Sequence, residues 1–513
     1  MHFNRYIAHW SLRQPDRMAL SCLGETITWR EIDVRSAQVA AFLVERGVAP
    51  GDRVALLAEN SIEWCLAFIA AFRAGAIAVP FNRLYGRYEL EQIAYDAECA
   101  MVFSCAGDVA KLGVTHAADD AAALHWYDLR PGGAAPVSLA DVLAANRPFA
   151  DHRRSDDDPI AICYTSGTTG VPKGILLTHR SVDTMVQSLT MTFHWSIGEE
   201  RFVILAPLAF TGTVICVLCP LLATGGTGFI EKGVDAARAL DLIVRERITY
   251  FPGVPALFEK VASAPGFAEA DISSIRTGNA GGAPVPRALL DKYHAKGVTI
   301  RQQYGTSESS GAITNPEFEL ALRCPESAGH PLPTFDLEIR DGEGRALPPN
   351  TPGEIWVRGP QMMQGYWRKP EANAVAFDAD RWYRTGDLGR FDTELGLFVL
   401  DRKKNMLISG GVNVYPAEVE RAMAQIAGID EVVVFGMPHE TWGDEVVALV
   451  HGPTLADGSA LIPQVRELLG PYKTPRRIVV SRDPLPRTAS NKVVRHGLQE
   501  LFAELTGEEK VAA

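Results

Sequence analysis

The sequence predicts an α/β protein with a large N-terminal domain of parallel and mixed sheets, helices and a β subdomain, followed by a small, mobile C-terminal α+β domain. Its 513 residues, 47% of them apolar, are too many for one ordinary hydrophobic core. Short apolar runs alternate with helical stretches in the first half, which is typical of a buried parallel sheet. From about Pro331 the pattern becomes β-rich, and a compact mixed segment follows. We therefore expect domains at residues 1–403 and 404–513.

The first half contains clear helix and strand signals. Thr28 and Glu31 form a T-x-x-E capping box that predicts a helix start, and Gly47 predicts the end of that helix. A further helical stretch is expected at Leu66–Phe72. The strands predicted in this half are Asp52–Leu57, Ile77–Pro80, Met101–Ser104 and Ile160–Tyr164.

The second half changes character. Asp341-Gly342 predicts a turn between two β-rich runs, and the alternation in Gly353–Arg358 predicts an exposed antiparallel strand. Pro416 marks a helix start, since proline is favoured at the first helical position. The elements predicted after it are strands at Val432–Phe435 and Val446–Val450 and helices near Val465 and Leu498.

One segment, Phe202–Thr224, is almost wholly apolar and about as long as the roughly 20 residues that span a bilayer. Pro207, Gly212 and Pro220 interrupt it, which favours buried strands and turns of a core over a membrane span. Cys216 and Cys219 in this segment form a C-x-x-C pair, but no second pair stands at metal-binding spacing. Core packing is therefore expected for both cysteines.

Charge and cysteine usage limit the function classes. The formal net charge of -12 excludes an electrostatic footprint for nucleic acid. The eight cysteines are irregularly spaced and none follows Cys324, which indicates a reducing cytoplasm and no disulfide framework. The ends carry no export, lipidation or peroxisomal signal, so we expect a cytoplasmic protein. A homodimer stays open.

The segment Y-T-S-G-T-T-G-V-P-K-G, Tyr164 to Gly174, predicts a phosphate site. It follows a strand, its glycines permit close backbone approach, and its hydroxyls and Lys173 suit phosphate oxygens. The common nucleotide loop needs glycine directly before the lysine and a hydroxyl directly after it, whereas Pro172 and Gly174 stand there. The pattern therefore disfavours a kinase or P-loop ATPase.

Together with further motifs, this segment resembles the adenylate-forming superfamily, which includes acyl- and aryl-CoA synthetases, the adenylation domains of peptide synthetases, and firefly luciferase. The resemblance extends over nearly the whole chain. The other motifs that carry it are G-G-A-P at 281–284, Y-G-T-S-E at 304–308, Y-R-T-G-D-L-G at 383–389, D-R-K-K at 401–404, S-G-G at 409–411 and P-R-T-A-S-N-K at 486–492.

The resemblance implies a role for each motif. Lys492, Lys173 and Glu308 are implied as catalytic residues, and Thr165 and Glu308 as ligands of the Mg²⁺ that accompanies ATP. The residues implied in binding ATP or AMP are Thr165, Ser166, Gly167, Thr168, Thr169, Gly170, Lys173, Gly282, Ala283, Pro284, Tyr304, Gly305, Thr306, Asp387, Arg402 and Lys492.

The resemblance also implies a C-terminal domain that swings about Lys404 after adenylation, so that a pantetheine tunnel forms. Trp442 and Tyr472 are equally consistent with core aromatics, and that alternative stays open. The residues implied in coenzyme A binding are Gly410, Gly411, Trp442, Tyr472 and Lys473.

The substrate acid is only partly specified. Phe210 stands where the family usually has histidine, and no aspartate lies between Leu205 and Val214, which disfavours an α-amino acid. The pocket residues implied by the resemblance, Phe210, Asn279, Gly281, Ser309 and Gly311, suit a fatty or aromatic monocarboxylate. Chain length and ring preference stay open.

The expected function is the two-step activation of a carboxylic acid with ATP, Mg²⁺ and coenzyme A. Acyl-AMP and pyrophosphate form first, and acyl-CoA and AMP follow. One alternative is an acyl-AMP ligase that passes the acyl group to a carrier protein. The other is a nucleotide-binding regulator without turnover, which the presence of Lys173, Glu308, Asp387 and Lys492 disfavours.

Overall fold

The computed structural model describes residues 2–112, 125–129, 138–145, 147, 149–152, 155–165, 172–409, 412–439, 442–471, 473–487 and 493–507. The chain divides into two compact units, Met1–Leu337 with Val357–Tyr383 and Glu338–Trp356 with Arg384–Ala513. Helices and mixed sheets build both units, so the predicted α/β class is confirmed. The boundary between residues 403 and 404 stays a prediction about which segment moves.

The first unit contains two seven-stranded sheets. In one of them every neighbouring pair is parallel except the N-terminal hairpin at its edge. Its strands, in spatial order, are Ile300–Gln303, Thr277–Gly281, Tyr250–Gly253, Arg201–Ile204, Thr227–Ile230, Met18–Cys22 and Glu25–Thr28. The carboxyl ends of parallel strands lie along one edge of a sheet, where ligands commonly bind.

The other seven-stranded sheet is parallel on one side and antiparallel on the other. Its strands, in spatial order, are Gly365–Tyr366, Lys173–Thr178, Pro159–Thr165, Ile77–Pro80, Arg53–Leu57, Cys99–Ser104 and His125–Asp128. The predicted strands at residues 52–57, 77–80, 101–104 and 160–164 are thereby confirmed within one or two residues. A short pair, Thr314–Asn315 and His330–Pro331, completes the strands of the first unit.

Helices surround these sheets. The predicted capping box is present, since Thr28 N donates to Glu31 Oε2 at 2.8 Å and Glu31 N donates to Thr28 Oγ1 at 3.3 Å. The larger helices of the first unit are Asn4–Arg13, Trp29–Glu45, Ile62–Ala74, Arg87–Ala97, His179–Phe193, Ala236–Arg245, Pro255–Ala262 and Arg287–His294. Shorter ones are Ala106–Val109, Leu139–Ala144, Phe318–Arg323 and Pro370–Ala376.

The apolar segment Phe202–Thr224 differs from its prediction. After the strand Arg201–Ile204 it is helical from Thr211 to Thr224, with a π-helical turn at Val214–Leu218. The strand-and-turn prediction was therefore wrong for its second half, because a segment buried on all sides carries no periodicity that distinguishes helix from strand. Among the helices that the structure describes, none combines the length and hydropathy needed to cross a bilayer.

The second unit contains most of a four-stranded sheet, in the order Asp336–Arg340, Gly353–Arg358, Tyr383–Asp392 and Gly396–Arg402. The predicted strand Gly353–Arg358 is present, but its exposure was mispredicted, since Glu354 to Val357 are all buried. It is an inner strand of the sheet, with a hydrogen-bonded neighbour at each of its two edges. Local alternation could not reveal those neighbours.

The C-terminal part of the second unit has its own sheet, in which Arg477–Ser481 runs parallel to Gly443–His451. Its other strands are Val412–Val414, Leu407–Ser409 and Glu431–His439. The predicted elements are confirmed, with helices at Pro416–Met423, Ile462–Leu469 and Leu498–Thr506. Two apolar clusters pack on this sheet, one around Val434 and Val465 and the other around Val447 and Phe502.

Candidate active site

The predicted phosphate segment starts at the end of one strand and ends at the start of the strand that pairs antiparallel with it. Thr165, at the end of Pro159–Thr165, pairs with Lys173, at the start of the antiparallel strand Lys173–Thr178. Ordinary P-loops lead from a strand into a helix, so the structure separates this segment from them independently of its sequence. The predicted loop residues Ser166, Gly167, Thr168, Thr169 and Gly170 lie outside the described residues.

Lys173 and Glu308 are brought together by a tyrosine that the sequence reasoning missed. Tyr366 Oη donates to Glu308 Oε1 at 2.9 Å, and Lys173 Nζ lies 5.2 Å from the centroid of the Tyr366 ring. Tyr383 Oη lies 3.4 Å from Tyr366 Oη. Burial, aided by the negative charge of Glu308, raises the pKa of Tyr383 well above its ordinary range.

No local signal would have identified Tyr366. It belongs to a two-residue strand, Gly365–Tyr366, whose only distinguishing feature is its pairing with Leu176 and Ile175. That pairing joins residues almost 200 positions apart in the chain, and periodicity reports only local order. Tyr383 begins the Y-R-T-G-D motif at 383–387, but the sequence pattern indicates no role for it.

The turn between Tyr304 and Gly311 is tightly folded. Ser309 Oγ donates to Thr306 O at 2.9 Å and accepts from Thr306 N at 3.1 Å, which uses the hydroxyl of a fully buried residue within the turn itself. A Cβ on Gly305 would come within 2.5 Å of Gly311 O, and Gly311 has a φ of +103°. Both glycines are therefore required by the backbone.

Asn279 lies on the parallel strand Thr277–Gly281, which is next to the edge strand Ile300–Gln303 of its sheet. Its side chain is buried, and both polar atoms of the side-chain amide form hydrogen bonds within the protein. Asn279 Nδ2 donates to Gln303 Oε1 at 3.0 Å, and Asn279 Oδ1 accepts from Asn315 Nδ2 at 2.9 Å. Gly282, Ala283 and Pro284 follow the strand and are exposed. These three residues, which the resemblance implies in binding ATP or AMP, are therefore accessible, while Asn279 joins Gln303 to Asn315 through its side-chain hydrogen bonds.

Phe210 begins the helical segment that the sequence reasoning had missed. It is half-buried, and its carbonyl accepts from Val214 N at 3.0 Å. Farther along this segment, Cys216 Sγ donates to Ser310 O at 3.3 Å, and a Cβ on Gly311 would come within 2.5 Å of the same sulfur. The segment that carries Phe210 thus packs against the turn that contains Ser309 and Gly311.

In the second unit, Asp387 and Arg402 face each other on paired strands. Arg402 Nε lies 2.6 Å from Asp387 Oδ1, and the two residues are direct partners in the register of Tyr383–Asp392 and Gly396–Arg402. Asp387 is buried, and its own N–H donates to Thr385 Oγ1 at 3.1 Å. The structure therefore joins two of the residues that the resemblance implies in binding ATP or AMP.

Lys404, the implied hinge, lies in the short turn Lys403–Asn405. Asp401 holds this turn on both sides: its Oδ1 accepts from Asn405 Nδ2 at 2.9 Å and its Oδ2 accepts from Ala417 N at 2.7 Å. Desolvation and the positive charge of Arg402 lower the pKa of Lys404 below its usual range.

Three of the residues implied in coenzyme A binding, Gly410, Gly411 and Tyr472, lie outside the described residues. Trp442 is half-buried, with the guanidinium carbon of Arg476 3.7 Å from its ring centroid. Lys473 Nζ contacts both carboxylate oxygens of Glu418 at 2.7 Å. Of these five residues, the structure therefore shows Trp442 stacked against the Arg476 guanidinium and Lys473 in an ion pair with Glu418.

The implied catalytic Lys492 also lies outside the described residues, between Arg487 and Val493, which form an antiparallel bridge.

Among the described residues, no group of three or more His, Cys, Asp or Glu side chains is arranged to hold a metal ion. All eight cysteines are free, and Cys216 and Cys219 are buried as predicted.

Sequence models of two families match the chain. The AMP-binding enzyme model matches residues 7–367, and the model of the AMP-binding enzyme C-terminal domain matches residues 418–492. A feruloyl-CoA synthase of Amycolatopsis is 33% identical over 97% of this chain and 99% of its own length. A long-chain-fatty-acid–CoA ligase of Mycobacterium tuberculosis is 34% identical over 93% of each chain.

A solved structure shows the same architecture. The crystal structure of ATP-bound MatB from Rhodopseudomonas palustris superposes with a TM-score of 0.89 at 29% identity, covering 98% of this chain and 99% of that one. The motifs, the fold and the relatives agree across almost the whole length. The chain therefore belongs to the family of AMP-binding enzymes.

Proposed function

We propose that this enzyme activates a carboxylic acid with Mg²⁺-bound ATP as its acyl-adenylate, releases pyrophosphate, and transfers the acyl group to coenzyme A. The observation that carries the proposal is the convergence of Lys173 and Glu308 on Tyr366. It supplies a cation for phosphate oxygens and a carboxylate for a metal ion at one place, which is what a metal–triphosphate substrate requires.

The residues fit Mg²⁺ in the way that nucleotide enzymes use it. Glu308 is half-buried and presents a hard oxygen ligand. Among the described residues, it does not belong to a cluster of three or more side chains that could bind a metal ion without a substrate. Mg²⁺ is commonly held by one or two carboxylates together with substrate phosphates. Glu308, with the hydroxyl of Thr165, would hold the ion, whose chemistry is to neutralise charge on the phosphates.

In the first step an oxygen of the substrate carboxylate attacks the α-phosphorus of ATP. The bond from the α-phosphorus to the bridging oxygen breaks, and pyrophosphate leaves with that electron pair. Lys492 stabilises the charge that develops on the α-phosphoryl oxygens, and Lys173 holds the departing phosphates. Asp387 and Arg402 hold the ribose, consistent with their ion pair.

In the second step the sulfur of coenzyme A attacks the acyl carbonyl carbon and the thiol proton is released to solvent. The bond from that carbon to the phosphate oxygen breaks, and AMP leaves with that electron pair. We assign the change between the two steps to the turn that contains Lys404, because a few residues in a short connection can absorb a domain rotation. Gly410, Gly411, Trp442, Tyr472 and Lys473 stay the proposed contacts of coenzyme A.

The substrate is proposed to be an aromatic or aliphatic monocarboxylate. Phe210, half-buried at the start of its helical segment, gives an apolar surface that suits such an acid. The names of the feruloyl and long-chain-fatty-acid relatives are consistent with both kinds of acid.

Acid-dependent exchange of labelled pyrophosphate into ATP, measured with benzoates, cinnamates and fatty acids of increasing length, tests the first step. We expect exchange with at least one member of the series and AMP formation that accelerates when coenzyme A is added. ATP binding without exchange for any acid would instead identify a nucleotide-binding regulator. Exchange without acceleration by coenzyme A would favour an acyl-AMP ligase that serves a carrier protein.

A further inference from the structure

Tyr366 contacts both of the charged side chains that the proposed chemistry needs in the first unit. Its hydroxyl donates to Glu308 Oε1 at 2.9 Å, and the ammonium of Lys173 lies 5.2 Å from the centre of its ring. A tyrosine has one hydroxyl proton. Because that proton goes to the carboxylate, Tyr383 Oη, 3.4 Å away, is the donor in its contact with Tyr366.

Strand pairing determines where Tyr366 lies. Tyr366 is the direct partner of Ile175, and Trp367 N donates to Gly174 O at 2.7 Å. Lys173 and Ile175 are two positions apart, so their side chains project from the same face of the strand. Tyr366 is consequently a diagonal neighbour of Lys173, which is a distance that aromatic and long side chains can bridge.

The main chain on both sides of Tyr366 is held by further contacts. Asn373 Oδ1 accepts from Tyr366 N at 2.6 Å, and Asn373 Nδ2 donates to Tyr366 O at 3.1 Å. Met363 N donates to Glu308 O at 2.7 Å, so the same segment also binds the backbone of Glu308. The main chain of Tyr366 is thus fixed on both sides, and its side chain lies beside the charged groups of Glu308 and Lys173.

Asp96 strengthens this mounting from the neighbouring helix. Its Oδ2 accepts from Tyr164 Oη at 2.7 Å and its Oδ1 accepts from Lys369 Nζ at 2.5 Å. Tyr164 lies on the strand that leads into the phosphate segment, and Lys369 follows Tyr366 by three positions. One carboxylate therefore joins the two stretches of chain that carry the phosphate segment and the tyrosine.

We propose that Tyr366 is a positioning residue of the adenylation step, which orients the Glu308 carboxylate towards the metal–phosphate complex and holds the Lys173 ammonium over its ring. The inference rests on the proposed function. A hydroxyl that donates to one carboxylate oxygen restricts rotation of the group and directs the other oxygen outward. Groups placed before the substrate arrives need no reordering when it binds.

Two substitutions separate the two contacts. Tyr366→Phe removes the bond to Glu308 and keeps the ring beside Lys173, whereas Tyr366→Leu removes both. Tyr6→Phe is the matched control. Tyr6 lies on the N-terminal helix Asn4–Arg13, and its Oη also donates to a carboxylate oxygen, Asp183 Oδ1, at 2.6 Å. Calorimetric titration measures ATP affinity in EDTA and in excess Mg²⁺, and pyrophosphate exchange gives kcat and KM.

In the wild type we expect Mg²⁺ to strengthen ATP binding. Tyr366→Phe should bind ATP in EDTA as the wild type does but lose roughly tenfold of the Mg²⁺-dependent gain, since hydrogen bonds to charged groups are among the strong ones. Tyr366→Leu should in addition weaken binding in EDTA by about two- to fivefold, as expected when a cation loses an aromatic face. Tyr6→Phe should match the wild type in every titration.

A Tyr366→Phe enzyme with the full Mg²⁺-dependent gain would overturn the inference, as would an equal loss in Tyr6→Phe, which would indicate general destabilisation. Should Tyr366→Leu fail to fold, Tyr366→Phe still decides the metal contact, because it removes only one oxygen. Failure of the proposed function has a different signature, namely a wild type that binds ATP and shows no exchange with any acid.

Discussion

Arg402 Nε lies 2.6 Å from Asp387 Oδ1, and the two residues are direct partners on neighbouring antiparallel strands. The carboxylate is buried, whereas the arginine side chain is 48% exposed. In the proposed function, Arg402 orients this carboxylate so that it can accept hydrogen bonds from ligand hydroxyls.

Replacing Asp387 with alanine should lower affinity for ATP and AMP roughly tenfold to hundredfold, because charge-assisted hydrogen bonds are lost. The main-chain bond from residue 387 to Thr385 Oγ1 does not depend on the side chain and should persist. Calorimetric titration with AMP measures the effect. Asp380→Ala, which removes an exposed carboxylate, is the control and should bind AMP normally.

Lys492→Ala should lower acid-dependent pyrophosphate exchange by about a hundredfold or more, because a cation that stabilises the transition-state charge is removed. Its melting temperature should change little. Lys260→Ala removes an exposed lysine and should leave exchange intact. Equal exchange rates in the two variants would contradict the catalytic assignment of Lys492.

Phe210→Ala should change the response to the acid while leaving the response to ATP unchanged. The side chain is half-buried, and the bond from Val214 N uses the carbonyl of residue 210, so the helical segment should still form. We expect the KM for small acids to rise several-fold and the kcat/KM ranking to move towards bulkier acids, as for an enlarged apolar pocket. A proportional change in KM for ATP would place Phe210 elsewhere.

Gly305→Ala should destabilise the protein strongly. The new methyl carbon would lie 2.5 Å from Gly311 O and 2.6 Å from Ala312 Cα, and backbone atoms cannot yield as a flexible side chain can. Overpacking of this kind costs about 1–3 kcal/mol or more. Gly233→Ala, where the methyl meets nothing within 4 Å, is the control. Urea unfolding should show a loss only for Gly305→Ala.

Alkaline pH should destabilise the fold through buried thiols. Burial raises the pKa of Cys163 and Cys216 to about 12, from 9.0 in the unfolded chain. Between those values the folded protein keeps protons that the unfolded chain releases, so stability falls as pH rises from 9 towards 12. Urea unfolding at pH 8 and pH 10 measures the decrease, which should be smaller in Cys163→Ala.

A thiol reagent checks the same cysteines directly at pH 8. The five buried cysteines should react only in denaturant, where all eight should become reactive. Cys99, Cys105 and Cys324, which are partly exposed, should react first in the folded protein. Rapid native modification of Cys163 or Cys216 would contradict their burial.

Much of the architecture was predictable because its causes are local. The capping box at Thr28 and Glu31 and the helix start at Pro416 arise from interactions within a few residues. The failures also have physical causes. The helical stretch Thr213–Thr224 is buried on every side, so it lacks the polar face that would have revealed a helix, and the inner position of Gly353–Arg358 depends on strands distant in the chain.

The sequence alone determined the family and the order of its motifs, because particular residue types at short spacing, such as the hydroxyl-rich segment before Lys173, are properties of the chain itself. Tertiary structure decided which charged groups meet. The contact of Tyr366 with both Glu308 and Lys173 arises from a two-residue strand pairing, and Asp387 meets Arg402 only through strand register. Such pairings follow from packing and hydrogen bonding between distant segments, which no local pattern encodes.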